Sequence, residues 1–405
     1  MNNEEYIIRL AGTDHPEDRK QLIELWNTCF NDTPEFVDFF FSGRYRPENI
    51  VCAEFKGQIT AAMHSLPVRL LIRGRPVTAS LIAGVGTHPD HRGKGLMKDM
   101  FRFFLPELHR RSILTVNYHP VDFGIYRSMH HYPVSAYLHY SRIPIKAPGD
   151  SAFRTGPDRF LSPDTRITFR EIKDVSDSMR EDMNDCYLSV AAKYSGMVIR
   201  TPEYFKLKMH DYASSDAKAL LHYSGGRISG YCIFFLTENE MFAEEVIHCN
   251  ESTLQAMISS LNSRYSNLKT TIKLPPDTDT RSLITLYTPA ELSFREQNAA
   301  GVTDISSFIK ALAFSAYVPD ELLRSFIVEV TDDFMPGNCG NFDLNGDHTD
   351  EPSVLRADIG DLVRFLYGYT KAAEMAVGSD DKIIKIANEL DKILGYPVCR
   401  TIDEY

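Results

Sequence analysis

The N-terminal third alternates short apolar runs with polar breaks. A strand is predicted around Tyr6–Leu10, and Asp14-His15-Pro16 is a helix-start signal ahead of an apolar stripe at Leu22, Leu25, Trp26, Cys29 and Phe30. A second aromatic cluster, Phe36, Phe39, Phe40 and Phe41, follows the break at Asp32-Thr33-Pro34. Residues 50–56 and 58–66 read as strands joined at Lys56-Gly57, and a third strand around Val68–Ile72 turns back at Arg73-Gly74-Arg75. The chain then enters an apolar run, Leu81 to Val85, broken by Gly84 and Gly86. That pattern predicts a buried strand whose glycines permit a bulge or a close backbone approach. Thr87-His88-Pro89-Asp90 stops the strand. After Arg92-Gly93-Lys94-Gly95 the pattern becomes helical, with Leu96, Met100, Phe103 and Phe104 on one face. A further strand, Ser112–His119, ends at Pro120, and Asp122 to Arg127 begins a helical turn.

Residues 144–164 are rich in Pro, Gly, Ser and charge and read as a linker. Residues 165–285 then repeat the same organisation. A strand (Arg166–Glu171) precedes a helix (Ser176–Tyr194), followed by strands at 218–224, 227–237 and 240–248 and a helix at 251–264. From about 290 the pattern changes to a helix capped by Asp304, strands at Arg324–Thr331 and Asn341–Leu344, and helices at 357–367, 369–376 and 380–394. Three domains are expected, at residues 1–145, 146–288 and 289–405.

Composition narrows the function. The chain has 405 residues, 43% hydrophobic and 24% charged, with a net charge of −11. That balance disfavours nucleic acid as a partner and suits a cationic small-molecule or peptide substrate. No apolar run reaches the roughly 18 residues of a membrane helix, and Met-Asn-Asn-Glu-Glu lacks the basic and apolar regions of a signal peptide, so a cytoplasmic protein without membrane contact is expected. Seven scattered cysteines show no C-x-x-C pair, and no metal site is expected.

The stretch 81–97 carries the chemistry. Strand, glycine-rich turn and helix together aim free backbone N–H groups at a phosphate, and Arg92 and Lys94 add positive charge. The spacing fits neither a nucleotide P-loop nor a dinucleotide fingerprint. As a whole, Val85-x-x-x-Pro89-x-x-Arg92-x-Lys94-Gly95-Leu96-Met97 resembles the acetyl-CoA loop of the GNAT N-acetyltransferases, and Met97 in its last position resembles the Eis-type branch. The resemblance implies an α+β fold with a mixed sheet: tandem GNAT domains followed by a sterol-carrier-like domain. It implies acetyl-CoA as co-substrate, with Val85, Gly86, Thr87, Arg92, Gly93, Lys94, Gly95, Leu96, Met97, Val121 and Asp122 around it. Tyr126 resembles the tyrosine that serves as general acid to the thioester sulfur, although the Gly-aromatic pair expected just after it reads His130-His131. The second repeat enters its helix through Asn250-Glu251-Ser252, a cap without glycine, and reads as a degenerate GNAT module.

By the same resemblance Trp26, Asp32, Glu35 and Phe36 border the acceptor site. The α-carboxylate of Tyr405 enters the active site as general base, Glu404 is a ligand for a cationic acceptor, and the assembly is a homo-oligomer, a hexamer. The implied reaction is acetyl transfer to a primary amine such as an aminoglycoside or a lysine side chain. The alternatives are a non-catalytic acyl-CoA-binding protein, which the His130-His131 departure favours, or an acyltransferase with another acceptor.

Overall fold

The computed structural model describes residues 6–12, 14–144, 164–281, 290–395 and 397–403. The chain runs β1 (Ile7–Leu10), α1 (Asp18–Cys29), α2 (Pro34–Gly43), β2 (Ile50–Phe55), β3 (Gln58–Ile72), β4 (Arg75–Thr87), α3 (Leu96–Arg110), β5 (Thr115–Tyr118), the single turn α4 (Phe123–Tyr126) and β6 (Tyr132–Pro133). Next come β7 (Ala136–Arg142), β8 (Thr165–Glu171), α5 (Asp177–Ala191), β9 (Tyr194–Ser195), β10 (Met197–Val198), α6 (Pro202–Ser214), β11 (Lys218–Ser224), β12 (Arg227–Leu236), β13 (Glu240–His248), α7 (Glu251–Arg264) and β14 (Lys269–Leu274). The remainder is β15 (Glu291–Glu296), β16 (Ala299–Val302), α8 (Ile305–Leu312), α9 (Asp320–Ser325), β17 (Val328–Thr331), β18 (Gly340–Phe342), β19 (Leu355–Asp358), α10 (Ile359–Tyr367), α11 (Ala372–Met375), α12 (Asp381–Leu394) and β20 (Val398–Cys399).

These elements form two compact units, one of residues 1–135, 194–198 and 297–405, the other of residues 136–193 and 199–296. The expected boundaries at 145 and 288 fall outside the described residues. In the first unit the main sheet runs β1-β2-β3-β4-β5-β16-β6, with β10 on the edge of β3. The amphipathic face of α3 supplies its core: Leu96, Met100, Phe101, Phe104, Leu105 and Leu108 pack against Val51, Met63, Ile82, Val116 and Tyr118. Strand β16 comes from the C-terminal part of the chain and pairs antiparallel with β5, Ala299 opposite Tyr118 and Val302 opposite Thr115. The buried Tyr367 hydroxyl at the end of α10 bonds Thr115 Oγ1 at 2.8 Å and accepts from Asn117 Nδ2 at 2.6 Å. Arg73 donates to the last carbonyls of the same helix, Phe365 and Leu366, at 2.8 and 3.1 Å. The small sheet β18-β17-β19 completes this unit.

The second unit is one seven-stranded sheet, β15-β7-β14-β13-β12-β11-β8. Helix α7 begins at the cap Asn250, whose Oδ1 accepts from Thr253 N at 2.9 Å. A side chain therefore fills the position that glycines leave open before α3. The unit's centre holds Arg200 and Glu245, both fully buried and joined through two bonds of 2.7 and 2.9 Å. Tyr212 and Tyr231 also donate to Glu245, at 2.9 and 2.5 Å. Burial pushes this carboxyl upward, but the Arg200 charge and the donated bonds outweigh it and leave Glu245 at about 2.

Several elements differ from expectation. Residues 58–72 form one strand rather than two, with Pro67 inside it. Pro67 lies beyond the last β2 partner, His64, and before the β10 partner, Leu70, so no ladder bond on that side needs its missing N–H. Helix α1 starts at Asp18, later than expected, because the Asp18 carboxylate is taken by Arg9 at 2.7 and 2.8 Å and by Gly12 N at 3.2 Å. Arg324 belongs to α9, not to a strand, and the following strand is confined to Val328–Thr331.

Glu245→Ala strands the Arg200 guanidinium in a dry interior, and its expected cost is about 3–5 kcal/mol. Urea denaturation of the full chain measures this; a loss below about 1 kcal/mol would show that the pair is not sealed from water.

Candidate active site

Strand β4 lies beside β5 only where Ala79, Ser80 and Leu81 face Thr115, Val116 and Asn117, in parallel register. From Ile82 to Thr87 it pairs with β3 alone among the described residues, so its other edge is open. Between Ala62 and His64 the β3–β4 register slips, and Gly84 takes φ +54°. This is the bulge the two glycines predicted. Helix α1 explains why a side chain is excluded: a Cβ on Gly84 would lie 2.2 Å from Trp26 Cζ3, and one on Gly86 would lie 3.2 Å from Cys29 Sγ.

The open edge leads into the loop. His88 N donates to Thr60 O at 2.8 Å, and Arg92 Nε donates to Thr87 O at 3.1 Å, which closes the turn onto the strand it leaves. Gly93 and Gly95 take φ +75° and +81°, and nothing lies within 4 Å of where their Cβ atoms would be. Gly95 caps α3 without a side-chain bond. The first-turn amides of α3 therefore meet no capping side chain, as an anion site requires. Lys94 Nζ donates to Tyr6 Oη at 2.9 Å, and Tyr6 in turn bonds His91 at 2.7 Å. Arg92, Gly93, Lys94 and Gly95 are exposed, Leu96 is buried in the core, and Val85 and Met97 pack on its margin. Thr87 is half-buried beside them.

Tyr126 belongs to the same apolar cluster as Ile82 and Leu96. Asp122 caps its helical turn by accepting from Gly124 N at 2.7 Å, while Val121 just before is fully exposed. The Tyr126 ring sits 4.6 Å from Tyr118, and the residue is 8% exposed. Burial raises its hydroxyl to about 12, so it keeps its proton at any working pH. The departure after it has a structural answer. His130 adopts φ +56°, the left-handed conformation that explains a glycine at this position in the family pattern. His131 fills the aromatic slot, edge-on to Phe101 at 5.4 Å, with Nδ1 bonded to Tyr118 Oη at 2.7 Å. Its other ring nitrogen faces Gly301 of β16, where a Cβ would come within 2.1 Å.

On the acceptor side Trp26 is a buried wall. Its ring packs tilted against Phe40 at 4.5 Å, lies 6.4 Å from Phe36, and donates from Nε1 to Asp32 Oδ2 at 2.9 Å. Asp32 and Glu35 are exposed and Phe36 is half-buried. His64, which the sequence pattern did not single out, is buried between Trp26, Phe40 and Phe41 at 5.3–5.8 Å and is driven by burial down to about 3. Its place on a strand that reads only as apolar left no signal. The tail is anchored: Val398–Cys399 pairs with Tyr194–Ser195, and Thr401, Ile402 and Asp403 are buried. Thr401 Oγ1 bonds Ser135 Oγ at 2.7 Å and donates to Asn298 Oδ1 at 2.8 Å. Glu404 and Tyr405 lie outside the described residues. His130, Asp332 and Asp333 also converge, but Asp332 already accepts from Phe334 N, Met335 N and Asn338 Nδ2, as expected of a hydrogen-bonded corner.

Comparison with known proteins agrees with this architecture. Residues 13–132 match the acetyltransferase (GNAT) domain family, and residues 305–379 match the sterol carrier protein domain family. No curated protein matches the sequence. Among solved structures, a probable N-acyltransferase of unknown function from Enterococcus faecalis is 18% identical, with a TM-score of 0.74 over 99% of this chain and 100% of the other. Eis1 from Mycobacterium abscessus is 15% identical, with a TM-score of 0.70 over 99% and 100%. A GCN5-related N-acetyltransferase from Anabaena variabilis is 16% identical, with a TM-score of 0.74 over the same shares. The fold is thus that of the Eis-type proteins along the whole chain.

Gly84→Ala places a methyl group against Trp26 at a left-handed position, and we expect a loss of about 2 kcal/mol or more. Gly93→Ala bears only the backbone strain and should lose about 1 kcal/mol; equal losses in denaturation would argue against contact with Trp26. A second outcome concerns pH. Burial drives His64 and His131 down to about 3 from an ordinary 6.5, so the unfolded chain binds more protons between those values and stability falls as pH drops through that window. The limiting slope for the pair is about 2.7 kcal/mol per pH unit. Urea midpoints at pH 7 and 5.5 should differ, and His131→Phe should flatten the difference.

Proposed function

We propose that this chain, an acetyltransferase carrying a GNAT domain, moves the acetyl group of acetyl-CoA onto a primary amine of a cationic acceptor. The observation that carries this is the open β4 edge running into the uncapped α3 N-terminus, with the protonated Tyr126 in the same cluster. In this reading the pyrophosphate lies on the amides after Arg92, the pantetheine arm pairs with the strand edge at Val85 and Thr87, and the thioester sulfur reaches Tyr126.

The amine nitrogen attacks the thioester carbonyl, the carbon–sulfur bond breaks, one proton leaves the nitrogen and one reaches the sulfur. A hydroxyl near 12 facing a thiolate near 8.5 does not give up its proton freely. Tyr126 acts first as a hydrogen-bond donor to the sulfur as charge builds, and the proton follows on collapse of the intermediate. The Tyr405 α-carboxylate is the base. Its ordinary value near 3.5 makes it weak, so much of its work is to hold the ammonium and pass a proton through water. Burial of the tail through Asp403 supports this role. So does the bond between Thr401 and Asn298, because Asn298 adjoins the residue paired with Tyr118. Asp32, Glu35 and Glu404 supply negative charge for the acceptor.

The fit of His130 and His131 to their backbone and packing positions removes the main sequence support for a non-catalytic acyl-CoA-binding protein. Thiol release from acetyl-CoA by the untagged protein, against aminoglycosides, polyamines and lysine peptides, tests the reading. Release is expected with at least one class. Tyr126→Phe should lower turnover about a hundredfold or more, and one extra residue after Tyr405 should lower it while leaving CoA affinity unchanged. Clear CoA binding with no release on any amine would overturn the assignment.

A further inference from the structure

Cys186 and Cys249 are 63 positions apart in the sequence, yet their sulfurs lie 3.8 Å from each other in the second unit. Cys186 is on the buried side of α5, with Met183, Tyr187 and Val190. Cys249 sits between the end of β13 and Asn250, the cap of α7. Regular structure fixes both backbones. Cys186 is inside a helix, and Cys249 N donates to Ser229 O of β12 at 3.0 Å. The two sulfurs are therefore held in contact by the fold. Among the described residues the other five cysteines have different neighbours: Cys29 meets Arg92, and Cys52, Cys232, Cys339 and Cys399 reach backbone carbonyls.

The two thiols are unequal. Cys186 is 4% exposed, and burial, joined by its neighbour Cys249, pushes its thiol up, so it keeps its proton. Cys249 is half-buried and open to solvent on one side. Exchange with a disulfide requires access to the attacking sulfur, which Cys249 has and Cys186 lacks. A cation also stands at the accessible end: the exposed Lys193 donates from Nζ to Cys249 O at 3.4 Å, and its charge favours the approach of a carboxylate-bearing small disulfide. An accessible sulfur backed by a second one in contact is the arrangement of an attacking and a resolving cysteine.

We propose that Cys186 and Cys249 are a reversible disulfide site, closed by exchange with a small disulfide and clamping α5 to the start of α7. The Cys249 thiolate attacks one sulfur of the small disulfide, whose S–S bond breaks and releases a first thiol. Cys186 then loses its proton and attacks Cys249 Sγ, and the second thiol leaves. Two protein thiols are oxidised by two electrons, the small disulfide is reduced to two thiols, and the two protons end on those thiols. The site is complete within the second unit and does not depend on the acetyl-transfer reading.

Oxidised glutathione is the probe, added to the folded full chain under mildly alkaline conditions, with intact mass and peptide mapping as readouts. The expected product has lost two hydrogens and carries a Cys186–Cys249 link that dithiothreitol reverses. Cys186→Ser should leave Cys249 holding a glutathione adduct, and Cys249→Ser should leave Cys186 unmodified. The linked chain should melt about 5 °C or more above the reduced one, a rise absent from both variants. Serine is close to cysteine in size, and the melting curves show whether each variant is folded. No link in the folded chain, a link that forms only in urea, or pairing of either residue with another cysteine would overturn the proposal. A linked chain with an unchanged midpoint would overturn the clamp. Acetyl transfer is not read, so failure here leaves the catalytic assignment standing, and the converse also holds.

Discussion

Strand β5 keeps company with β4 for three residue pairs and then departs, its far edge held by β16. That divergence organises the site. Had β5 continued alongside, β4 would have no free edge from Ile82 to Thr87 to offer an extended ligand. What keeps β5 away is specific: four pairs with β16, and the Tyr367 hydroxyl locked between Thr115 and Asn117. The C-terminal region is therefore part of the frame of the first unit's sheet. The tyrosine cluster depends on the same arrangement, because Tyr118 is the last residue of β5 and carries both Tyr126 and His131 against it.

Burial shapes the electrostatics throughout, with opposite results. Unpaired, it neutralises: His64, His131 and Tyr126 all hold their uncharged forms. Paired, it permits charge: Glu245 stays ionised because Arg200 and two tyrosines meet every oxygen lone pair that matters. Where the first unit opens α3 with glycines, the second closes the corresponding helix with an asparagine cap.

The parts of the fold legible in the sequence are those that local chemistry determines. Gly84, Gly86, Gly93 and Gly95 mark backbone conformations or contacts that a side chain would disturb, and from them the loop, bulge and flanking elements followed directly. Strand β16 was not legible. Ala299-Ala300-Gly301-Val302 has no alternation, and its worth lies in pairing with residues far away in the chain. The same holds for Gly301, whose lack of a side chain makes room for His131. The strands expected at 58–66 and around Val68–Ile72 are one, because the effect of the intervening Pro67 depends on which neighbouring strand has already ended. His64 carried no pattern at all, since what distinguishes it is the set of aromatic rings around it.

The crossing of strands also has a temporal side. As the chain leaves the ribosome, β5 emerges roughly 180 residues before the strand that covers its edge, a wait of on the order of ten to forty seconds at ordinary synthesis rates. During that interval the motif-bearing third of the protein holds a strand with one edge unpaired and an uncovered Thr115–Asn117 pair, which invites pairing with other nascent chains. The glycine-rich loop before α3 is encoded early, but the sheet that presents it is finished only late in synthesis. The first repeat is thus not a portable module, because its sheet is completed by a strand encoded far downstream.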